Sequence, residues 1–158
     1  MVSAASNDET SVPSTSADIA FSNIGGLRDS LLFAQYYAEG DGVVTFEKAQ
    51  AVMPFKNKVE ILQCTGAQII AAVQQNVYVQ PGGTTKLLQV SSGFALAGTQ
   101  PTYRVGITDF VGNGGDGYTA FRGCTVSSVV GVDLAAFTAY LGAHMPLAPP
   151  AANRITKL

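Results

Sequence analysis

Residues 103–118 read YRVGITDFVGNGGDGY, and the fold turns on how that string divides. Tyr103, Val105 and Ile107 alternate with Arg104, Gly106 and Thr108, the period of two expected of a β-strand with one buried face. Asp109–Tyr118 then packs Gly112, Gly114, Gly115 and Gly117 beside Phe110, Asn113 and Asp116. The glycines permit positive φ and close approach of a ligand to the main chain, while the side chains offer a stacking face and hydrogen-bonding groups. That combination suits a flat, hydroxylated molecule such as a nucleoside. Gly112 to Gly117 also satisfies G-x-G-x-x-G, but only Tyr118–Thr125 separates the loop from the next strand-like run, with Gly123, Thr119 and Thr125 among them. No crossover helix of about ten residues fits there, so the match to a dinucleotide-binding fold is read as accidental. A calcium loop needs oxygen ligands at alternate positions, and Asp109, Asn113 and Asp116 are wrongly spaced for it. A glycine-rich surface turn without a ligand stays open as the plain alternative.

Upstream, Ile19, Ala20 and Phe21 form a short apolar strand that runs into Asn23, Ile24, Gly25, Gly26, Leu27 and Arg28. A strand feeding such a turn can present Asn23 and Arg28 to one pocket; a turn with a solvated arginine is the alternative. Thr45–Val52 reads as a short helix capped by Thr45, with Glu47 in its first turn and Pro54 ending it. Phe55 follows at the junction with a strand over Lys58–Gln63, a place where a phenylalanine is usually core. Thr65 and Gln68 make a capping box, and Ile69, Ile70, Val73 and Val77 recur at helical spacing, predicting a helix over Gly66–Val77 closed by Pro81, Gly82 and Gly83. Leu87–Val90 and Gly93–Leu96 read as strands. After the glycine loop, Val126–Val132 is an apolar strand, and Asp133 caps a helix over Leu134–Ala143 whose Leu134, Phe137 and Leu141 share a face. Together these predict a single α/β (α+β) domain, residues 18–158, with a mixed sheet flanked by helices.

The chain has 158 residues, 47% of them hydrophobic and 13% charged, with a formal net charge of −2. That is enough apolar material for one core. Without a Lys/Arg cluster, neither nucleic acid nor an anionic membrane surface is an expected partner. No apolar run reaches the roughly eighteen residues of a membrane helix, so a soluble protein is expected. Residues 1–17, rich in Ser, Ala and Thr, read as a flexible tail and have neither the basic start nor the apolar centre of a signal peptide. Cys64 and Cys124 read as buried free thiols, each in apolar surroundings with no disulfide framework visible, although an exported product would allow one bridge.

Catalytic chemistry is hard to assemble from this composition. The chain has one histidine, His144, placed near its proline-rich end and read as structural or solvent-facing, so neither a zinc site, a two-metal site nor a catalytic triad can be built. No G-x-S-x-G elbow or phosphate loop occurs. By itself the chain reads as a binder, with no catalytic residue and no metal ligand.

In this order the pieces resemble the C-terminal, substrate-binding domain of the 5′-nucleotidases, which also occurs in UDP-sugar hydrolases and 2′,3′-cyclic phosphodiesterases. The resemblance runs from Ala17 to Leu158: ADIAFSNIGGLR, VMPFKNKVEILQCTGAQI, LQVSSGF, YRVGITDFVGNGGDGY and the closing helix with APPAANRITKL. It implies that Phe55 and Phe110 sandwich a base, Asp116 bonds the ribose hydroxyls, Asn23 contacts the base, and Arg28 approaches the phosphate or its neighbouring ribose. Asn113, Gly114 and Gly115 belong to the same site by this reading. It further implies a nucleoside or nucleotide ligand of the adenosine or AMP type, and a partner in an N-terminal metallophosphoesterase domain carrying two divalent metal ions. No such domain is expected among these residues, so the chain by itself is expected to be inactive. A periplasmic or extracellular location is implied as well. The chain departs from the family in carrying Ile24 where Gly or Ser is usual, in replacing an upstream helix and its arginine by the Ser/Thr-rich tail, and in a shortened connection between Phe94 and Tyr103. Ile24 keeps a second class open, a non-catalytic scaffold or interaction module that retains the fold without a ligand.

Overall fold

The structure, a computed structural model, describes residues 17–31, 43–75, 86–91 and 101–144. Expectations for a strand over 93–96, for the helix beyond residue 75, for the turn at 81–83 and for both tails lie outside those residues. Five strands form one sheet in the order β3-β1-β4-β2-β5: β1 is Ile19–Asn23, β2 Lys58–Cys64, β3 Leu88–Val90, β4 Tyr103–Thr108 and β5 Thr125–Val132. β1 and β4 are parallel, and the other three pairs are antiparallel. The sheet is therefore mixed, and helices flank it, as the sequence predicts.

The alternation in β4 organises the core. Val105 stands opposite Leu62 on one side and Ile19 on the other, so three apolar side chains from three strands meet in one row. All three are buried, together with Phe21, Cys64, Tyr103, Ile107, Val111, Tyr118 and Phe121. Burying each such aliphatic side chain contributes about 1.5–3 kcal/mol. Helix α1, Phe46–Val52, starts at Thr45, whose hydroxyl accepts from Lys48 N–H. Helix α2, Gly66–Gln75, opens on the predicted capping box: Gln68 N–H donates to Thr65 Oγ1 at 3.3 Å and Thr65 N–H donates to Gln68 Oε1 at 2.8 Å. Its buried residues are Ile69 and Ala72, whereas Ile70 and Val73 are exposed. Apolar residues at five successive positions, 69–73, leave the inward face undetermined by spacing, and the small Ala72 allows the closer approach.

Helix α3 is the single turn Asp109–Gly112, and α4 runs over Asp133–His144. Between α3 and β5 the chain makes two 3₁₀ turns, Gly115–Gly117 and Thr119–Gly123, and no crossover helix. α1 and α4 pack around Ala49, Leu134 and Leu141, with Phe137 at the margin as its spacing predicts. His144 is the last residue of α4, exposed and stacked on Tyr140. β5 is the predicted apolar strand, yet Val126, Val129, Val130 and Val132 are exposed on it. At the other side of β4, Asp18 clasps Arg104: Arg104 N–H donates to Asp18 Oδ2 at 2.7 Å and Asp18 N–H donates to Arg104 O at 2.8 Å. The backbone N–H of Arg104 is the chief cause that holds the Asp18 carboxyl below its ordinary pKa.

The expectation of two free thiols is overturned. Cys64 and Cys124 form a disulfide with their Cα atoms 4.8 Å apart. Antiparallel pairing of Gln63 with Thr125 brings the end of β2 to the start of β5, an adjacency that local composition does not disclose. The bridge closes a separation of 60 residues. Replacing both cysteines by serine is expected to cost about 2–4 kcal/mol of stability, read from the urea midpoint against the oxidised wild type. An unchanged midpoint would count against the bridge.

Candidate functional site

The sheet topology gathers one end of four strands. β1 and β4 run parallel, so their C-terminal residues Asn23 and Thr108 lie at the same end. β2 and β3 run antiparallel to them, which brings the starts of those strands, with Lys58 and Leu88, to that end too. The segments attached there line a pocket of about 570 Å³: Asn23–Gly26 and Arg28 after β1, Phe55 and Asn57 before β2, Lys86 before β3, and Phe110 and Asp116 after β4. A volume of that size is ordinary for a small-molecule site.

Both aromatic rings face solvent in part, Phe55 at 56% and Phe110 at 46%. The usual core reading of a phenylalanine at position 55 does not hold, because its turn projects at the sheet's end. That turn is tightly fastened. Lys56 takes a left-handed φ of 55°, and Asn57 bonds reciprocally with Asp133: Asn57 Nδ2 donates to Asp133 Oδ2 at 3.2 Å, and Asp133 N–H donates to Asn57 O at 2.9 Å. Asp133, predicted as a cap, thus begins α4 and also anchors the Phe55 turn. The Asp109 carboxylate joins the two aromatic segments, accepting from Phe110 N–H at 2.8 Å and from Lys58 N–H at 3.1 Å through Oδ1. Arg28 lies over the Phe55 ring, its Cζ 5.9 Å from the centroid, within range of a cation–π attraction. Its Nη1 also makes a long contact of 3.5 Å with Gly25 O.

Asp116 sits at φ 55° and ψ 11°, a left-handed conformation that disfavours most side chains but that aspartate tolerates better than β-branched residues. Asn23, buried at the end of β1, donates its amide Nδ2 to Asp116 Oδ2 at 2.7 Å. Lys86 Nζ stands 3.8 Å from Asp116 Oδ1. Below it, Tyr118 is buried, and its phenol is raised above the ordinary value of 10.0, first by burial and then by the Asp116 charge.

Of the residues the sequence singles out, Phe55, Phe110, Asp116, Asn23 and Arg28 converge on the pocket. Asn113, Gly114 and Gly115 do not line it; they set the path of the loop. Asn113 Nδ2 donates to Asp109 O at 2.8 Å, and its carbonyl accepts from Arg122 Nε at 2.9 Å. Gly114 has φ 86°, and a Cβ on Gly115 would lie 2.5 Å from the Phe110 ring and carbonyl. Sequence reasoning missed Asn57 and Lys86. Asn57 had a signal, its place two residues after Phe55 in a turn, whereas a lone lysine before a short strand gives none. Among the described residues no three His, Cys, Asp or Glu side chains gather as metal ligands, and Asp116 is the pocket's lone carboxylate. This donor set does not fit a pair of divalent ions.

Comparison with known proteins gives the same direction. The profile described as "5'-nucleotidase, C-terminal domain" matches residues 3–97. The Listeria monocytogenes cell wall protein Lmo0130 is 29% identical over 147 residues, which take in 78% of this chain and 18% of that protein. The Bacillus subtilis trifunctional nucleotide phosphoesterase protein YfkN is 31% identical over 151 residues, 79% of this chain and 10% of its own length. A 5'-nucleotidase precursor from Thermus thermophilus shares the fold with a TM-score of 0.72 at 24% identity, over 87% of this chain and 31% of that one. The Haemophilus influenzae NAD nucleotidase does so with a TM-score of 0.59 at 20% identity, over 81% and 27%. The chain thus spans less than a fifth of the length of both curated relatives.

Gly115→Ala is expected to displace Phe110 and to destabilise the fold by about 1–3 kcal/mol in a urea melt, since neither the ring nor the carbonyl beside it can yield freely. Tyr118 gives a pH signature. Above pH 10.0 the unfolded chain releases the phenolic proton while the folded chain retains it, so stability falls as pH rises, until the folded phenol also ionises. Tyr118→Phe is expected to flatten that alkaline fall in melts taken across pH 9–11.

Proposed function

We propose a nucleoside-recognition role for this chain, which belongs to the 5'-nucleotidase C-terminal domain family. The observation that carries the proposal is the convergence of Phe55, Phe110, Asp116 and Arg28, drawn from separate segments, on one pocket. In this reading a base stacks on the rings of Phe55 and Phe110, an interaction worth about 1–3 kcal/mol and tolerant of base identity. Asp116 accepts from the ribose hydroxyls, with its carboxylate held by Asn23. One of the two amide hydrogens of Asn23 goes to Asp116, so its part is to orient the carboxylate as well as to meet the base. Arg28, already over Phe55, faces the phosphate side of a nucleotide such as AMP. A UDP-sugar would present the same ribose, with uracil on the rings in place of adenine.

Hydrolysis, in this proposal, belongs to a separate metallophosphoesterase domain that supplies two metal ions and the activated water, while these residues bind and orient the nucleoside. The Cys64–Cys124 bridge supports residence in an oxidising compartment outside the cytoplasm. Among the described residues no helix is long and apolar enough to cross a membrane.

Calorimetry tests the reading. Adenosine and AMP are expected to bind saturably at about −5 to −6 kcal/mol, a Kd in the high micromolar range, and Phe110→Ala is expected to abolish the heat. A non-nucleotide control should give none, and the chain alone with manganese or zinc should release no phosphate from AMP. One observation favours a second reading, a scaffold without a ligand: the bulky Ile24 lines the pocket beside Gly25 and Gly26. Ring resonances of Phe55 and Phe110 that stay unmoved on titration would establish that reading instead.

A further inference from the structure

Lys86 enters the pocket from just before β3, on the far side of β1 from the aromatic loop, and its ammonium faces the Asp116 carboxylate. The two Asp116 oxygens are used differently. Oδ2 accepts from Asn23 at 2.7 Å, a short bond made from behind by a buried amide. Oδ1 meets Lys86 Nζ at 3.8 Å, close enough to attract but beyond hydrogen-bonding distance. Both groups also remain partly exposed, Lys86 at 39% and Asp116 at 24% of the side chain. The carboxylate oxygen therefore keeps lone pairs, and the ammonium keeps donors, for a guest.

We infer that Lys86 is a second reader of the sugar: with Asp116 it forms an acceptor–donor pair matched to a vicinal diol. A hydroxyl can donate and accept at once. One ribose hydroxyl donates to Asp116 Oδ1, and the oxygen of its neighbour accepts from Lys86 Nζ. A carboxylate alone would satisfy the hydroxyl protons and leave the second oxygen to water. The pair instead fixes which hydroxyl faces which group, and it sets the sugar's orientation between the aromatic rings and Arg28. Lys86 is a specificity-determining residue in this role, and the inference rests on the nucleoside reading above.

The experiment compares adenosine, 2′-deoxyadenosine and 3′-deoxyadenosine by calorimetry on the wild-type chain, Lys86→Met and Lys86→Arg. The wild type is expected to lose about tenfold in affinity for each missing hydroxyl, as for loss of one charge-assisted hydrogen bond. In Lys86→Met one of the two discriminations collapses toward unity while the other persists, and Lys86→Arg restores it. Lys86 is exposed enough that the melting temperature of Lys86→Met should match the wild type, which separates the effect from unfolding. Adenosine binding with both discriminations unchanged, or with all three ligands weakened equally, overturns the inference and leaves the nucleoside site standing. Absence of adenosine binding to the wild type overturns the nucleoside reading and this one with it.

Discussion

The Asn23–Asp116 hydrogen bond spans 93 residues of sequence and joins the end of β1 to the loop after β4. The pocket depends on it because Asp116 occupies a left-handed conformation that costs on the order of 1 kcal/mol and persists only where its surroundings determine it. A short bond to a charged acceptor contributes about 1.5–3 kcal/mol, enough to offset that cost. Asn23 is buried with this partner in place, so loss of Asp116 would strand its amide as well as empty the pocket of its carboxylate. Of the neighbouring glycines, Gly26 follows from the same bond, whereas at Gly25 a Cβ would meet only ordinary contacts. A Cβ on Gly26 would lie 3.0 Å from Asn23 Oδ1, and one on Gly25 would lie 3.6 Å from Asp116 Oδ2. At Gly26 a side chain would crowd the amide that holds the carboxylate.

Strand direction explains why that bond is available at all. A parallel β1–β4 pair places two C-terminal strand ends side by side, and antiparallel neighbours on both flanks add the entries of β2 and β3. Each junction delivers its own groups: an amide and a guanidinium from β1, a ring and an amide before β2, an ammonium before β3, a ring and a carboxylate after β4. The Asp109 carboxylate then fixes the spacing of two of these junctions by bonding Lys58 N–H and Phe110 N–H together. The rings therefore sit on turns that are fastened to the sheet, which reduces the entropy lost when a ligand is taken up.

Much of this was legible in the sequence where a feature is local. The alternation of β4, the Thr45 cap, the Thr65–Gln68 box and the lack of room for a crossover helix are all written within a few residues, and the structure contains each. Features fixed by long-range pairing were not. Cys64 and Cys124 become neighbours only because β2 pairs with β5, Asn57 meets Asp133 across 76 residues, and Lys86 reaches Asp116 from just before a strand of three residues. The inward face of α2 was equally hidden, since an unbroken apolar run offers several faces and only tertiary packing, with the Thr119–Gly123 turn against the helix, selects Ile69 and Ala72. Asn113, Gly114 and Gly115 show the limit from the other side: a glycine-rich string identifies the loop, but not which of its members faces inward.

Exposed aromatic rings do not by themselves mark a site here, for Phe46 and Tyr140 are exposed to a similar degree as Phe55 and Phe110. What separates the second pair is company. Phe55 lies under a guanidinium and beside an amide already bonded to Asp133, while Phe110 shares its loop with a carboxylate held on one side by Asn23 and faced on the other by Lys86. The charged pair at 3.8 Å keeps donors and acceptors available beside the two half-exposed rings. The carboxylate is oriented by the Asn23 amide, and the pocket's other charged groups, Arg28 and Lys86, are cations that attract anionic or hydroxylated ligands. On the proposed reading, flat surfaces take the base, a donor–acceptor pair takes the sugar, and the reacting bond is left to groups outside the pocket.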